Sequence, residues 1–410
     1  MADLPFKKMT HTFLTGKVKA FLPLYQQFLK EEAYPIESAV IAKPFRQSLQ
    51  LLKGIRSKAK EKKLWAPHLS ENEGGAGLSL TEFAQVSELL GTSPIGHHLF
   101  NCQAPDIGNM ELLRAHAPED LKKKFLAPLM DGDIRSCFAM TEPEMAGSNP
   151  LQLATTAIRE GNDFVINGHK WFTTAADGSS FTIVMAVTDP QNSNPYLRAS
   201  MILVPIPRRG YELMRNVPIM GDAGEDHQSH GEIRFTNCRV PISNLIGEEG
   251  NGFALAQARL GPGRVHHCMR WIGICERAFD LMCQRAATRK LGDHRYLGHQ
   301  QIIQVWIAEC RAEINAARLL VLQTAYEMEH SGAKAVKDEI AAIKFFVANV
   351  LSTVLDKAIQ VHGALGITDD TILSFWYRHE RGARIYDGPD EVHKISLAKS
   401  ILKKYGLTFH

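Results

Sequence analysis

The sequence predicts an α+β chain of three domains: an N-terminal helical domain, a central β-barrel-like domain and a C-terminal four-helix bundle. Three observations predict it. Apolar residues recur at helical spacing up to about residue 130 and again from residue 252. Between those regions, short β-branched and aromatic runs are punctuated by Pro, Asn and Gly. Finally, 410 residues are too many for one ordinary domain. The expected boundaries are 1–134 for the helical domain, 135–249 for the β domain and 250–410 for the bundle.

Taken in order, KVKAFLPLYQQFLKEEAY (17–34) places apolar residues on one helical face and Lys and Glu on the other. SLTEFAQVSELLGTS (79–93) opens at a Ser/Thr cap with Glu82 in the first turn and stops at Gly91. LSENEGGAGLSL (69–80) reads as loop. Pro118-Glu119-Asp120 starts a helix over EDLKKKFLAPLM, its acids suiting the dipole. Composition changes near Gly132. DFVINGHKWFTT (163–174) predicts a hairpin turning at Asn167-Gly168. FTIVMAVT, SMILVPIP and GEIRFTNCRV predict further strands. Then FALAQARL, RVHHCMRWIGICERAFDLMCQRAATRK, HQQIIQVWIAECRAEINAARLLVLQTAYEMEH and KAVKDEIAAIKFFVANVLSTVLDKAIQVHGA predict the four bundle helices. No 20–50-residue repeat interrupts this plan.

Composition narrows the function classes. Hydrophobic residues make up 45% and charged residues 22%, enough for a sizeable core in a soluble chain. The 47 basic and 44 acidic residues nearly cancel, which argues against a nucleic-acid partner. No run approaches the ~20 apolar residues of a membrane span. Neither a secretory h-region at the N-terminus nor a targeting tripeptide in the final Leu-Thr-Phe-His is read. The seven Cys are scattered without a CxxC pair and are expected to be reduced thiols in a reducing compartment. No metal-ligand spacing is found.

Three stretches carry candidate chemistry. In RIYDGPDEVH (384–393), Asp387 lies between Tyr386 and the turn-forming Gly388-Pro389, which lifts one carboxylate onto a loop. In CFAMTEPEMAGSNP (137–150), a strand runs into a small-residue loop whose glycine exposes N–H groups able to cradle a pyrophosphate. In HKWFTTAADG (169–178), alternation places Trp171 and Thr173 on one strand face. Singly, each has a plain structural reading: a solvated turn, a β-connection, and a core Trp beside a surface Thr.

Together they resemble the acyl-CoA dehydrogenases. The TEP-x-x-GS signature of that family is matched with one extra residue, since Glu144, Met145 and Ala146 separate Pro143 from Gly147. The resemblance implies that Phe138, Met140 and Thr141 lie along the isoalloxazine of FAD. It implies that Gly147 and Ser148 meet the pyrophosphate, Ser148 also lying at the CoA entrance. Trp171 and Thr173 match the K-W-x-T run that packs on the flavin. Arg289 and Gln300 fit R-x(10)-Q contacts to a neighbouring subunit's FAD, which implies a homodimer or homotetramer. Gln360, Gly363 and Ala364 resemble the Q-x-x-G-G loop, with Ala364 in place of the second Gly, a change expected to be tolerated if φ > 0 is not needed there. Pro389 and Glu391 fall where the family touches the adenine end.

Asp387 matches the family's base, usually Glu, which removes a proton α to the thioester. The family polarises that thioester oxygen with the base residue's backbone N–H and a ribityl hydroxyl. Desolvation beneath substrate is expected to raise the Asp387 pKa. Tyr386, Gly388 and Arg264 are expected beside acyl-CoA, Arg264 as a CoA or loop-positioning group. Gly263 occupies the place where other branches carry their Glu, so that alternative base is absent. Electron-transferring flavoprotein is the implied acceptor. LGPGRVHHCMR and YDGPDEVH resemble a branch that some animals fuse to an aminoglycoside-phosphotransferase-like kinase domain and that is implicated in handling 4-hydroxyacyl chains phosphorylated by that kinase. The 410 residues contain no such kinase domain.

The expected location is cytoplasmic for a bacterial source and mitochondrial or peroxisomal for a eukaryotic one. Two rivals stay open. A nitroalkane-oxidase-like flavin oxygenase would consume dioxygen without an acceptor protein, and a non-catalytic scaffold would purify without flavin. LGTSPIGHHLFN (90–101) bears on the acyl pocket, with His97 and His98 read as helix-face residues.

Overall fold

A computed structural model describes residues 13–409. The N-terminal segment in which no signal region is expected lies largely outside them, as does His410. Apolar helical periodicity up to residue 130 becomes a helical layer. Its main helices are α1 (Gly16–Phe28, prolonged by a π turn Leu29–Ala33), α2 (Leu49–Glu61), α3 (Leu80–Gly91) and α4 (Asp106–His116). The predicted α3 cap forms as a reciprocal pair. Ser79 N–H donates to Glu82 Oε2 at 3.0 Å, and Glu82 N–H donates to Ser79 Oγ at 3.4 Å. Residues 119–130 are helical as predicted, with a π turn over Lys122–Leu126.

Eight strands follow: β1 (Ser136–Ala139), β2 (Thr156–Glu160), β3 (Asp163–Thr174), β4 (Phe181–Val187), β5 (Ala199–Pro205), β6 (Tyr211–Asn216), β7 (His230–Pro241) and β8 (Leu245–Ile246). They make one sheet in the order β6-β7-β3-β2-β4-β5-β8, with β1 joined in parallel to β4. FTIVMAV lacks the alternation of a half-exposed strand because β4 is buried on both faces. Phe181, Ile183 and Met185 pack with the N-terminal helices, while Val184 and Ala186 enter the sheet's own core.

The hairpin turn is not at Asn167-Gly168. Chain reversal occurs at Gly161-Asn162, where Glu160 pairs with Asp163, and β3 runs straight through Asn167. Gly168 is small because Thr155 packs against it, and Asn167 Oδ1 accepts the Asn237 N–H at 2.7 Å across a register shift. Its residue type answers close approach rather than a turn.

The bundle differs from expectation in one respect. FALAQARL is not a separate helix, since α5 runs from Gly252 to Thr288 straight through Pro262. Then come α6 (Gln301–Ser331), α7 (Lys337–His362), α8 (Ile372–Glu380) and α9 (Asp390–Lys403), the last packing on α7. Helices α3 and α5 cross closely at Gly91 and Gly273. A Cβ on Gly273 would fall on the Glu88 carbonyl. Beside this crossing, Arg318 pairs with Glu88 at 2.8 Å and with Glu276, tying the first domain to the bundle.

Gly273→Ala should therefore destabilise the protein by about 1–3 kcal/mol through overpacking. Gly263, with open space around its Cα, should accept Ala neutrally or gain about 0.5–1 kcal/mol. Thermal unfolding of both variants checks this; a neutral Gly273→Ala would mean the crossing is looser than described.

Candidate active site

The turn between α8 and α9 carries Asp387 in a left-handed conformation, φ +55°, followed by Gly388 at φ +99°. A non-glycine residue in that region is uncommon, and consecutive left-handed residues turn the Asp387 side chain away from the helix path. Gly388 is required twice over, since a Cβ there would also sit 2.6 Å from His393 Nε2. Three donors hold the turn by its carbonyls. Arg264 Nε donates to the Asp387 carbonyl at 3.2 Å and His393 Nε2 donates to the same oxygen at 3.0 Å. Lys344 Nζ donates to the carbonyls of Ala383 at 2.7 Å and Gly388 at 3.2 Å. Arg264 thus grips the backbone of the loop.

Tyr386 is fixed from behind. Its hydroxyl accepts from Arg270 and Trp271 Nε1, each at 3.1 Å, and both of these also bond Glu380. The Tyr386 ring lies 5.9 Å from that of Trp271.

The Asp387 carboxylate meets His267, whose Nε2 lies 3.3 Å from Oδ2. Burial acts to raise its pKa, but His267 and the charges of Arg264 and Arg259 outweigh burial and hold it well below the usual carboxylate range. The expected rise is therefore not the state of the protein alone. Burial pushes His267 down in turn, with Asp387 opposing. Across the site Arg259 stacks over Phe138, 4.1 Å from the ring centroid, and donates to Asn109 Oδ1 at 3.0 Å.

The two middle-domain stretches come together. Trp171 N–H donates to the Thr141 carbonyl at 3.1 Å. Glu142 anchors the loop that follows, accepting from the N–H groups of Ala154 and Thr155 and from Lys170 Nζ at 2.8 Å. Lys170 is fully buried, and burial pushes it down to about 8 against the pull of Glu142. Beyond this anchor Gly147 and Ser148 are exposed on the loop. Strict alternation does not pass through Trp171 and Thr173. A bulge between Lys170 and Thr173 puts Phe172 at φ +48° and 43% exposed, so the one-face inference fails there.

Arg289 and Gln300 flank a short hairpin, Leu297 N–H donating to the Arg289 carbonyl at 2.8 Å. Arg289 is exposed. It caps the C-terminus of α5, roughly 33 Å beyond His267 at ~1.5 Å per residue. Gln360 and Gly363 occur at that same end of the bundle, where Arg285 acts on buried His362. Gly363 takes φ +65°, whereas Ala364 does not need the left-handed region, so the Gly-to-Ala change is tolerated as expected. Pro389 caps α9 and Glu391 is exposed in its first turn. His97 and His98 are buried, His97 Nε2 lying 2.9 Å from Ser87 Oγ and His98 stacking on His227.

Sequence reasoning missed His267, Arg259, Lys344 and Glu380. A signal existed for the first of these: Arg264, His267 and Trp271 are spaced i, i+3, i+7 and so share a helix face. Lys344 and Glu380 come from elements whose approach only the fold reveals, and Arg259 faces Asp387 from across the site.

Family models match most of the chain. The acyl-CoA dehydrogenase N-terminal domain covers residues 15–133, the middle domain 137–238 and the C-terminal domain 250–402. This chain belongs to the acyl-CoA dehydrogenase family. It is 44% identical to the probable acyl-CoA dehydrogenase FadE2 of Mycobacterium tuberculosis, over 88% of this chain and 87% of that one. It is 39% identical to acyl-CoA dehydrogenase family member 11 of Gallus gallus over 91% of this chain, but spans only 49% of that longer protein. Among solved structures, a putative acyl-CoA dehydrogenase from Mycobacterium abscessus superposes with a TM-score of 0.90 at 37% identity, covering 95% of this chain and 99% of that one.

As a member of this family the chain is a flavin-dependent oxidoreductase, and its residues fit FAD. Thr173 Oγ1 is buried with no hydrogen-bond partner among the described residues. A Cβ at Gly147 would stand 2.8 Å from Thr141 Cγ2, so only glycine lets that loop close on the strand end. The seven cysteines are all free, with six buried and Cys283 half-buried. No helix among the described residues is long and apolar enough to cross a membrane.

Proposed function

We propose that this acyl-CoA dehydrogenase removes the α-proton and β-hydride of an acyl-CoA thioester, giving trans-2-enoyl-CoA, with Asp387 as the base. The observation that carries this is the Asp387 carboxylate, presented on a left-handed turn and faced by His267, Arg264 and Arg259, which favour its charged form. Asp387 takes the pro-R α-proton. FAD, when bound, supplies the acceptor for the β-hydride. The Asp387 backbone N–H has no acceptor among the described residues, which leaves it for the thioester oxygen, where a donor acidifies the α-C–H. Phe138, Met140, Thr141, Trp171 and Thr173 hold the flavin, and Gly147 and Ser148 the pyrophosphate. Substrate entering the site covers Asp387 and weakens the hold of its neighbouring charges, raising its basicity as the reaction begins.

The substrate reading is a chain oxygenated at C4, as a hydroxyl or phosphoryloxy group. Its support in this chain is a polar cluster beside the site. Glu111 lies 3.4 Å from His266 Nε2, and Arg259 feels the charges of both Glu111 and Asp387. Both ring nitrogens of His68, and Nδ1 of His266, are buried without partners among the described residues. A purely alkyl chain would leave those groups unsatisfied. Electron-transferring flavoprotein is the proposed acceptor. A homo-oligomer is proposed because Arg289, Gln300, Gln360 and Gly363 gather about a bundle length from Asp387, placed to serve a neighbour's FAD.

Asp387→Asn should retain FAD and bind acyl-CoA, yet lose anaerobic flavin bleaching by several orders of magnitude. Asp387→Glu, about 1.5 Å longer, should overshoot and keep partial activity. In the wild type, 4-hydroxy and 4-phosphoryloxy acyl-CoAs should bleach the flavin at least as fast as plain chains; inertness of every 4-substituted thioester would remove the substrate reading alone. Arg289→Ala should lose flavin and associate less well on size exclusion. A clean monomer with full flavin occupancy would defeat the oligomer.

A further inference from the structure

The reach of a base depends on its rotamer as much as on its length. Asp387 is one methylene shorter than the family's usual Glu, and its two oxygens are not equivalent. Oδ2 faces His267 Nε2 at 3.3 Å. His267 is itself immobilised between aromatic rings, stacked on Trp271 (centroids 5.8 Å, interplanar 20°) and tilted against Tyr386 at 5.2 Å. Trp271 in turn donates to the Tyr386 hydroxyl and to Glu380, so the imidazole is seated in a frame that also holds the base loop. It projects from α5 one turn after Arg264, the residue that grips the Asp387 carbonyl.

We propose that His267 is the positioning residue for the Asp387 base: its Nε2–H donates to Oδ2 and leaves Oδ1 aimed at the substrate α-proton. This rests on the reading of Asp387 as the base. A carboxylate can only accept, so this role requires the proton on Nε2. Two consequences follow. The short carboxylate is kept in one rotamer, which supplies the reach that a longer side chain would otherwise provide. A donor to the charged form also favours that form, so the base stays ionised in an enclosed site. The charged groups facing the pair come from several elements: Arg259, Arg264 and Arg270 from α5, Lys344 from α7, Glu380 from α8 and His393 from α9. Arg259, Arg264 and Lys344 remain when His267 is removed, so the carboxylate keeps part of its stabilisation and loses its aim.

The test is stopped-flow anaerobic flavin reduction from pH 5 to 9 with the FAD-loaded protein, comparing wild type, His267→Ala and His267→Gln. His267→Ala should lower the limiting reduction rate about a hundredfold, the cost of misplacing a reacting group by ~1 Å, while acyl-CoA affinity by flavin perturbation stays within twofold. Its acid limb should move up by about one pH unit, because an Asp387 that loses a donor to its charged form is protonated more easily. His267→Gln, whose side-chain N–H can replace Nε2–H, should recover most of the rate and restore the limb. The proposal is overturned if His267→Ala loses rate with an unmoved acid limb, or if Gln behaves like Ala. Should His267→Ala fail to hold FAD, the Gln variant decides alone: a rate and limb close to wild type support the assignment, and a hundredfold loss with a raised limb contradicts it. Because Asp387→Asn isolates the base itself, an inactive Asn variant with an unaffected His267→Ala sinks this proposal and spares the parent reading.

Discussion

The grip of Arg264, His393 and Lys344 on the carbonyls of Asp387, Gly388 and Ala383 is the constraint on which the site depends. A left-handed aspartate followed by a left-handed glycine is a costly backbone, and it persists because donors from three helices over-determine it. Each donor is delivered by a different element: Arg264 by α5, Lys344 by α7 and His393 by α9. The bundle must therefore be assembled before the base is presented, which couples the site to the packing of the whole domain.

That packing reaches further than the bundle. Glycines at the α3–α5 crossing let the N-terminal layer press against the helix carrying Arg259, Arg264, His267 and Arg270. Arg259 then touches both domains at once, bonded to Asn109 of α4 and stacked on Phe138 of β1. The sheet contributes a second anchor. Buried Glu142 and Lys170 satisfy one another and two backbone N–H groups, so the loop carrying Gly147 and Ser148 starts from a fixed point even though its tip is exposed. Removing one partner of such a buried pair strands a charge, a loss of about 3–5 kcal/mol, so the pair holds its geometry firmly.

Much of this was legible in the residues. The three-domain plan followed from the switch in hydrophobic period, and the α3 cap from Ser79 and Glu82. Asp387 was legible as a loop carboxylate because Gly388-Pro389 follows it. Asn167-Gly168 misled because a turn dipeptide and a close-approach glycine look identical until Thr155 is seen against it. FALAQARL looked separate because Pro262 ordinarily breaks helices, and only tertiary packing shows α5 continuing. The cation setting of Asp387 was invisible for a different reason. Period and turn signals report local structure, whereas Arg259, His267, Lys344 and Glu380 act through contacts separated by scores of residues in the chain. Without substrate the Asp387 carboxyl is held low by His267, Arg264 and Arg259, all far from it in the chain; the rise expected beneath substrate concerns the closed site.

The most direct measurement is α-proton exchange with a 3-thiaacyl-CoA in deuterated water. Sulfur replaces the β-carbon, so no hydride can leave and proton removal is observed by itself. The wild-type protein should introduce deuterium at the α-carbon, followed by mass spectrometry, and Asp387→Asn with full FAD should not. Equal exchange by the Asn variant would contradict Asp387 as the base and return it to the role of a turn residue.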